Sequence, residues 1–69
     1  MKVTVHLLPT RKTKKVVVLP KGASAQDAIR EMGLYPDGWI PVRGDRPIPL
    51  DEKLSEGDEI KLISVVSGG

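Results

Sequence analysis

The chain of 69 residues has no cysteine, no asparagine and no phenylalanine, and only one histidine, one glutamine, one tryptophan and one tyrosine. Without cysteine there is no disulfide framework, no thiolate nucleophile and no Cys-rich zinc site. A lone His6 has no second imidazole or thiol with which to hold a metal, so it reads as a surface strand residue. No apolar run approaches the roughly 18 residues needed to cross a bilayer, and the N-terminus lacks a charged-then-apolar leader pattern. A soluble, cytoplasmic protein without membrane contact is expected. The scarcity of Asn, Gln and Cys, with six prolines set mainly where loops are expected, is the composition of a chain from a thermophilic source.

A chain of 69 residues forms one small domain, and folding buries only about 60% of its unfolded surface. That leaves little room for a wide cleft. No paired carboxylates, nucleophile and base, or phosphate-cradling loop is recognisable, so neither an enzyme nor a bound cofactor is expected. What remains for covalent chemistry is a lysine amine, a hydroxyl or the terminal carboxylate. Charge is divided: residues 1 to 21 carry +6 with no acid, and residues 22 to 69 carry −4. Such polarity fits a partner-facing side, or simply a basic hairpin turn at Arg11, Lys12, Lys14 and Lys15.

Hydrophobic period gives the order of elements. Residues 2 to 8 alternate, with Val3, Val5 and Leu7 on one face and Lys2, Thr4 and His6 on the other, as in a half-buried strand. Pro9 ends it, and Thr13 to Leu19 forms a second β-branched run closed by Pro20, so the two make an antiparallel hairpin. Ser24 is the expected N-cap of a helix with Asp27 at its third position, and Ala25, Ala28, Ile29 and Met32 recur at helical spacing. Gly33 suits the left-handed residue after the helix end, with Leu34 contacting back. After the turn-like Tyr35 to Gly38, the run Trp39 to Arg43 reads as a short strand with Ile40 and Val42 sharing the inner face. Pro41 has no N–H for a ladder, which predicts that this strand is exposed on one side there or carries a bulge. Gly44-Asp45 is a turn, Ile48 sits in a stub between prolines, and Gly57-Asp58 leads into the final strand, Glu59 to Val66.

Hairpin, helix, short strand, stub and final strand predict an α+β chain: a β-grasp, with a mixed four- to five-stranded sheet packed on one helix. Residues 1 to 66 form that domain and 67 to 69 a flexible tail. The expected core is Val3, Val5, Leu7, Val17, Leu19, Ala28, Ile29, Met32, Leu34, Ile40, Val42, Ile48, Leu50, Leu54, Ile60 and Leu62. By alternation Lys61, Ile63 and Val65 then face the opposite way, beside Thr4, His6 and Leu8, as a candidate partner-binding patch. Tyr35 and Trp39 read as covering the end of a small core, with Trp39 also a possible partner anchor.

The sequence ends on Ser67-Gly68-Gly69, a stem without bulky side chains that can carry an α-carboxylate into a narrow channel. Together with Gly44 to Asp51, Leu54, Gly57-Asp58-Glu59-Ile60 and Val65-Val66, this ending resembles the ubiquitin-like sulfur carriers of the ThiS and MoaD family, which include archaeal small modifiers and ubiquitin-related modifiers. The resemblance implies that the Gly69 carboxylate is adenylated by a partner activating enzyme with ATP, then thiolated or joined to a lysine. Gly68 would lie flat where a Cβ clashes, Ser67 would follow, and Val65, Ile63, Lys61, His6 and Thr4 would meet the partner. It also implies a sulfur donor or acceptor protein. A monomer is expected, and the reading requires a free C-terminus at Gly69, with no residues beyond it in the sequence to be removed. Trp39 and Pro41 stand where the family usually has a plain aliphatic strand. Relatives often carry Asn-Gly where this chain has Arg43-Gly44.

A different class of function is a small basic β-grasp module that binds RNA or a protein non-covalently. The basic N-terminal third favours it. The absence of stacking aromatics on a strand platform counts against nucleic acid.

Overall fold

The computed structural model describes residues 1–8 and 13–65. Five strands and one helix follow one another as β1 (Lys2–Leu8), β2 (Thr13–Val18), α1 (Ala25–Glu31), a single 3₁₀ turn at Pro36–Gly38, β3 (Trp39–Arg43), β4 (Arg46–Pro47) and β5 (Glu59–Ser64). The sheet order is β2-β1-β5-β3-β4. Central β1 and β5 run parallel, and the other neighbours are antiparallel, so the sheet is mixed and the fold is the ubiquitin-like β-grasp.

The helix is short and held at both ends. Ser24 takes an extended backbone as N-cap. The Asp27 carboxylate accepts the Ser24 backbone N–H at 2.9 Å and its hydroxyl at 3.2 Å. At the other end Gly33, with φ +78°, donates its N–H to the Arg30 carbonyl, and the Leu34 N–H reaches the Ile29 carbonyl. Those two bonds make the glycine-terminated cap foreseen in the sequence. The helix buries Ala25, Ala28 and Ile29 against Val3, Val5, Val17, Ile60 and Leu62 of the sheet, with Leu19, Ala23 and Leu54 completing the core. The segment before β5 is stitched to the helix start: the Ala25 N–H bonds the Glu52 carbonyl and the Gln26 N–H the Leu50 carbonyl.

Two core expectations fail. Ile40 and Val42 pair with Ile63 and Lys61, so both stand on the outer side of the sheet, and Ile40 is exposed. The phase of β3 is the reverse of the expected one because Trp39 packs on the core and Pro41 is buried opposite Leu62. Leu7, Met32, Leu34, Ile48 and Leu50 line the core only half-buried, and Tyr35 is exposed rather than covering it.

Pro41 agrees with the first alternative, a strand open on one side there: β3 lies between β5 and β4, but the two-residue β4 ends before reaching Pro41. The Pro41 carbonyl accepts the Ile48 N–H at 2.9 Å on the β4 side. A strand residue points its nitrogen and its carbonyl the same way, so the missing N–H also faces β4, whose ladder reaches only Val42 and Arg43. The ladder to β5 therefore loses nothing. At the tip of the β3–β4 hairpin Gly44 and Asp45 both have positive φ, +58° and +65°, as a two-residue loop twisted to match its strands requires.

Candidate functional site

The sheet has one face closed by the helix and one that, among the described residues, is left open. On the open face, register sets side chains in rows across the strands. Leu8 of β1, Ile63 of β5 and Ile40 of β3 form one row; His6, Lys61 and Val42 form the next; Thr4 and Glu59 form the third. Ile63 is 37% exposed and Ile40 41%, and Val65, 44% exposed, continues beyond the apolar row. Of the residues expected to meet a partner, Thr4, His6, Lys61 and Ile63 lie on this side, and Val65 lies just past the end of β5, one residue beyond the strand. Ser67, Gly68 and Gly69 lie outside the described residues.

Polar groups occupy the middle of the face. His6 Nε2 lies 2.8 Å from Glu59 Oε2, and that hydrogen bond, followed by the imidazole charge, holds the Glu59 carboxyl below its ordinary value. Lys61 Nζ is 3.8 Å from Asp45 Oδ1 on the β3–β4 tip, an exposed pair of small energetic weight. Neither pair is arranged as a nucleophile with its base, and among the described residues no group of three His, Cys, Asp or Glu is placed to hold a metal. What the face offers is an apolar row with a charged row beside it, a surface suited to contact.

The position of the apolar row follows from chain direction. β1 and β5 are parallel, so Leu8 and Ile63 stand at the end where β5 leaves the sheet. There the Val65 N–H bonds the Gly38 carbonyl at 3.0 Å, beside the start of β3. The row thus lies at the C-terminal end of β5. A shallow hollow of about 550 Å³, lined by Met1, Lys21, Gly22, Leu54, Ser55 and Glu56, sits at the opposite end of β1, roughly 20 Å away at strand rise.

Arg43 has a structural role that sequence reading missed. Its Nη2 meets Glu52 Oε2 at 2.6 Å and its Nη1 meets Asp58 Oδ2 at 3.2 Å, while Asp58 also accepts the Ser55 N–H at 2.7 Å. This cluster ties β3 to the turn that launches β5. Alternating Arg and acids distant in sequence gave no local signal for it. Ile40 was missed as a surface residue for a related reason: only its pairing with Ile63 reveals its face.

No helix among the described residues is long and apolar enough to cross a membrane. The sulfur carrier protein TtuB of Thermus thermophilus is 33% identical over 63 residues, covering 90% of this chain and 91% of that protein. An uncharacterized protein of Archaeoglobus fulgidus is 32% identical over 56 residues, covering 81% and 82%. Both sources are in keeping with the thermophilic lean of the composition. Among solved structures, SAMP1 from Haloferax volcanii shares the fold, with a TM-score of 0.77 at 21% identity over 100% of both chains. The model of the ThiS family matches residues 5–69, from the first strand through the terminal glycines, and the chain therefore belongs to the ThiS family of small ubiquitin-like carriers, which are not themselves enzymes.

Proposed function

We propose that the chain is a sulfur carrier or modifier whose Gly69 carboxylate is activated by a partner enzyme. A carboxylate oxygen attacks the α-phosphorus of ATP, pyrophosphate leaves, and the acyl-adenylate so formed has AMP as its leaving group. Sulfide-level sulfur, released by a donor protein as hydrosulfide, then displaces AMP to give a thiocarboxylate and a proton, or a lysine amine of an acceptor displaces AMP and loses a proton to give an isopeptide. The enzyme supplies the catalysis. The carrier supplies a compact domain, residues 1–66, and a narrow stem, residues 67–69, on which Gly68 and Ser67 leave room for close passage.

The observation that carries this reading is that the family match runs through Gly68 and Gly69 rather than stopping with the sheet. The apolar row Leu8, Ile63 and Ile40, at the end where β5 leaves, supports it by giving the activating enzyme a surface beside the reactive end. Val65, Lys61, His6 and Thr4 extend that contact, and the carrier acts as a monomer. In the test, the cognate adenylating enzyme and ATP exchange labelled pyrophosphate in the presence of the chain. After sulfur transfer the intact mass rises by about 16 Da, oxygen replaced by sulfur. Deleting Gly69 abolishes both signals; unchanged exchange after that deletion refutes the proposal.

A further inference from the structure

The two edges of the sheet are treated differently. One edge, β4, is two residues long and contains Pro47, which blunts it against further pairing. The other, β2, is six residues long, and among the described residues nothing pairs with its outer side. Mutual hydrogen bonds between Met1 and Leu19 fix the phase of the β1–β2 ladder, so Val17 and Lys15 point their backbone groups inward to β1. Lys14, Val16 and Val18 therefore turn their N–H and C=O groups outward. The same three residues carry their side chains on the open face, where Val16 is 51% and Val18 68% exposed.

We propose that β2 is a docking strip for an extended peptide that adds to the sheet as a further strand, with aliphatic side chains over Val16 and Val18 and acidic ones beside Lys14 and Lys15. Outward amides and carbonyls give affinity that is indifferent to sequence, and the valines select alternate aliphatic side chains. Charge selects the acids: Lys2 pairs beside Val18, Lys14 and Lys15 are exposed, and residues 1–21 contain no Asp or Glu. A second copy of the chain fits less well. Antiparallel pairing of two β2 strands centred on Val16 sets Lys14 against Val18 and brings no anion to any lysine. The strip lies on the far side of β1 from Ile63 and Ile40, so it can be occupied independently of the Gly69 chemistry.

The probe is an acetylated octapeptide, two aspartates followed by Val-Ile-Val-Thr-Val-Thr, titrated into the full chain and followed by amide NMR shifts and hydrogen exchange. Shifts are expected to centre on residues 14–18, and with peptide at ten times its Kd the Lys14, Val16 and Val18 amides should exchange roughly tenfold more slowly. Val16→Pro removes an outward N–H and no bond to β1, so affinity should fall at least about tenfold while core shifts persist. Two peptides N-methylated on alternate residues test the same point without altering the protein. One phase should lose at least about tenfold in affinity and the other little, since only alternate peptide amides face β2. Replacing the aspartates by lysines should weaken binding several-fold. The proposal is overturned if both methylated phases bind alike, if the lysine peptide binds as well, if shifts centre on Leu8, Ile40 and Ile63, or if sedimentation shows self-association that protects these amides without peptide. Deletion of Gly69 should leave peptide binding intact, which separates failure here from failure of the carrier reading.

Discussion

The closed and open faces of this sheet are built from the same strands and nearly the same residue types, yet they do different work. On β5, Ile60 and Leu62 are fully buried, while Lys61 and Ile63, one step along, are exposed. The closed face spends its aliphatic surface against a seven-residue helix, and a chain this small has little other core from which to draw stability. On the open face nothing among the described residues forms a covering layer over Leu8, Ile40, Ile63 and Val65, and charge occupies the middle. Apolar groups that folding leaves uncovered are available for association. The difference teaches that identity alone does not assign an aliphatic residue its role in a small β-grasp; its phase on the strand does.

The widest separation between the faces is expected from two substitutions at adjacent positions. Leu62→Ala empties a fully buried site opposite Pro41 and should cost about 3 kcal/mol. Ile63→Ala removes a side chain already in contact with water and should cost less than about 1 kcal/mol. Urea unfolding of both variants measures the gap. Equal costs would mean that the open face is a second core, and the division drawn above would be lost.

The division was partly legible in the chain itself. Clean period-2 alternation in β1 and β5 placed Val3, Val5, Ile60 and Leu62 inward and Thr4, His6, Lys61 and Ile63 outward, and the helix was readable from its spacing, its cap at Ser24 and its stop at Gly33. β3 was not readable in phase. Trp39, Ile40, Pro41 and Val42 present apolar groups to both faces, so no local pattern says which is inner; packing of Trp39 and the pairing of Pro41 with Leu62 decide it. The open row that includes Ile40 depends on that long-range register and was therefore only half visible. Gly68-Gly69 was conspicuous as a pattern, but the chemistry proposed for it belongs to another protein's active site.

A charge placed on the open face should separate association from folding. Ile63→Asp puts a carboxylate into the row formed with Leu8 and Ile40. Pyrophosphate exchange by the cognate enzyme should fall at least about tenfold, close to 1.4 kcal/mol of lost interaction, while the unfolding midpoint moves little. Leu62→Ala, at a temperature where it remains folded, should behave in the opposite sense, with exchange retained and stability lost. If Ile63→Asp supports full exchange, the activating enzyme engages some other surface, and the uncovered row needs a different explanation.

The smallest expected effect lies at the helix that closes the inner face. Asp27 is held below its ordinary value of 3.8, first by the Ser24 backbone hydrogen bond, which burial opposes, and further by the Ser24 hydroxyl, Arg30 and Lys53. A carboxyl whose value is lowered on folding adds stability above its unfolded value, and that contribution disappears as pH falls through the folded one. Asp27→Asn keeps an oxygen to accept the Ser24 N–H and removes the charge together with its titration. At neutral pH the variant should be less stable by about 1 kcal/mol or less, and the gap should close as pH drops below about 4. A gap that stays constant between neutral and acid pH would show that the carboxylate charge contributes nothing there. The open face offers the control, because Asp27 lies on the helix and its replacement should leave pyrophosphate exchange unchanged at every pH where the chain is folded.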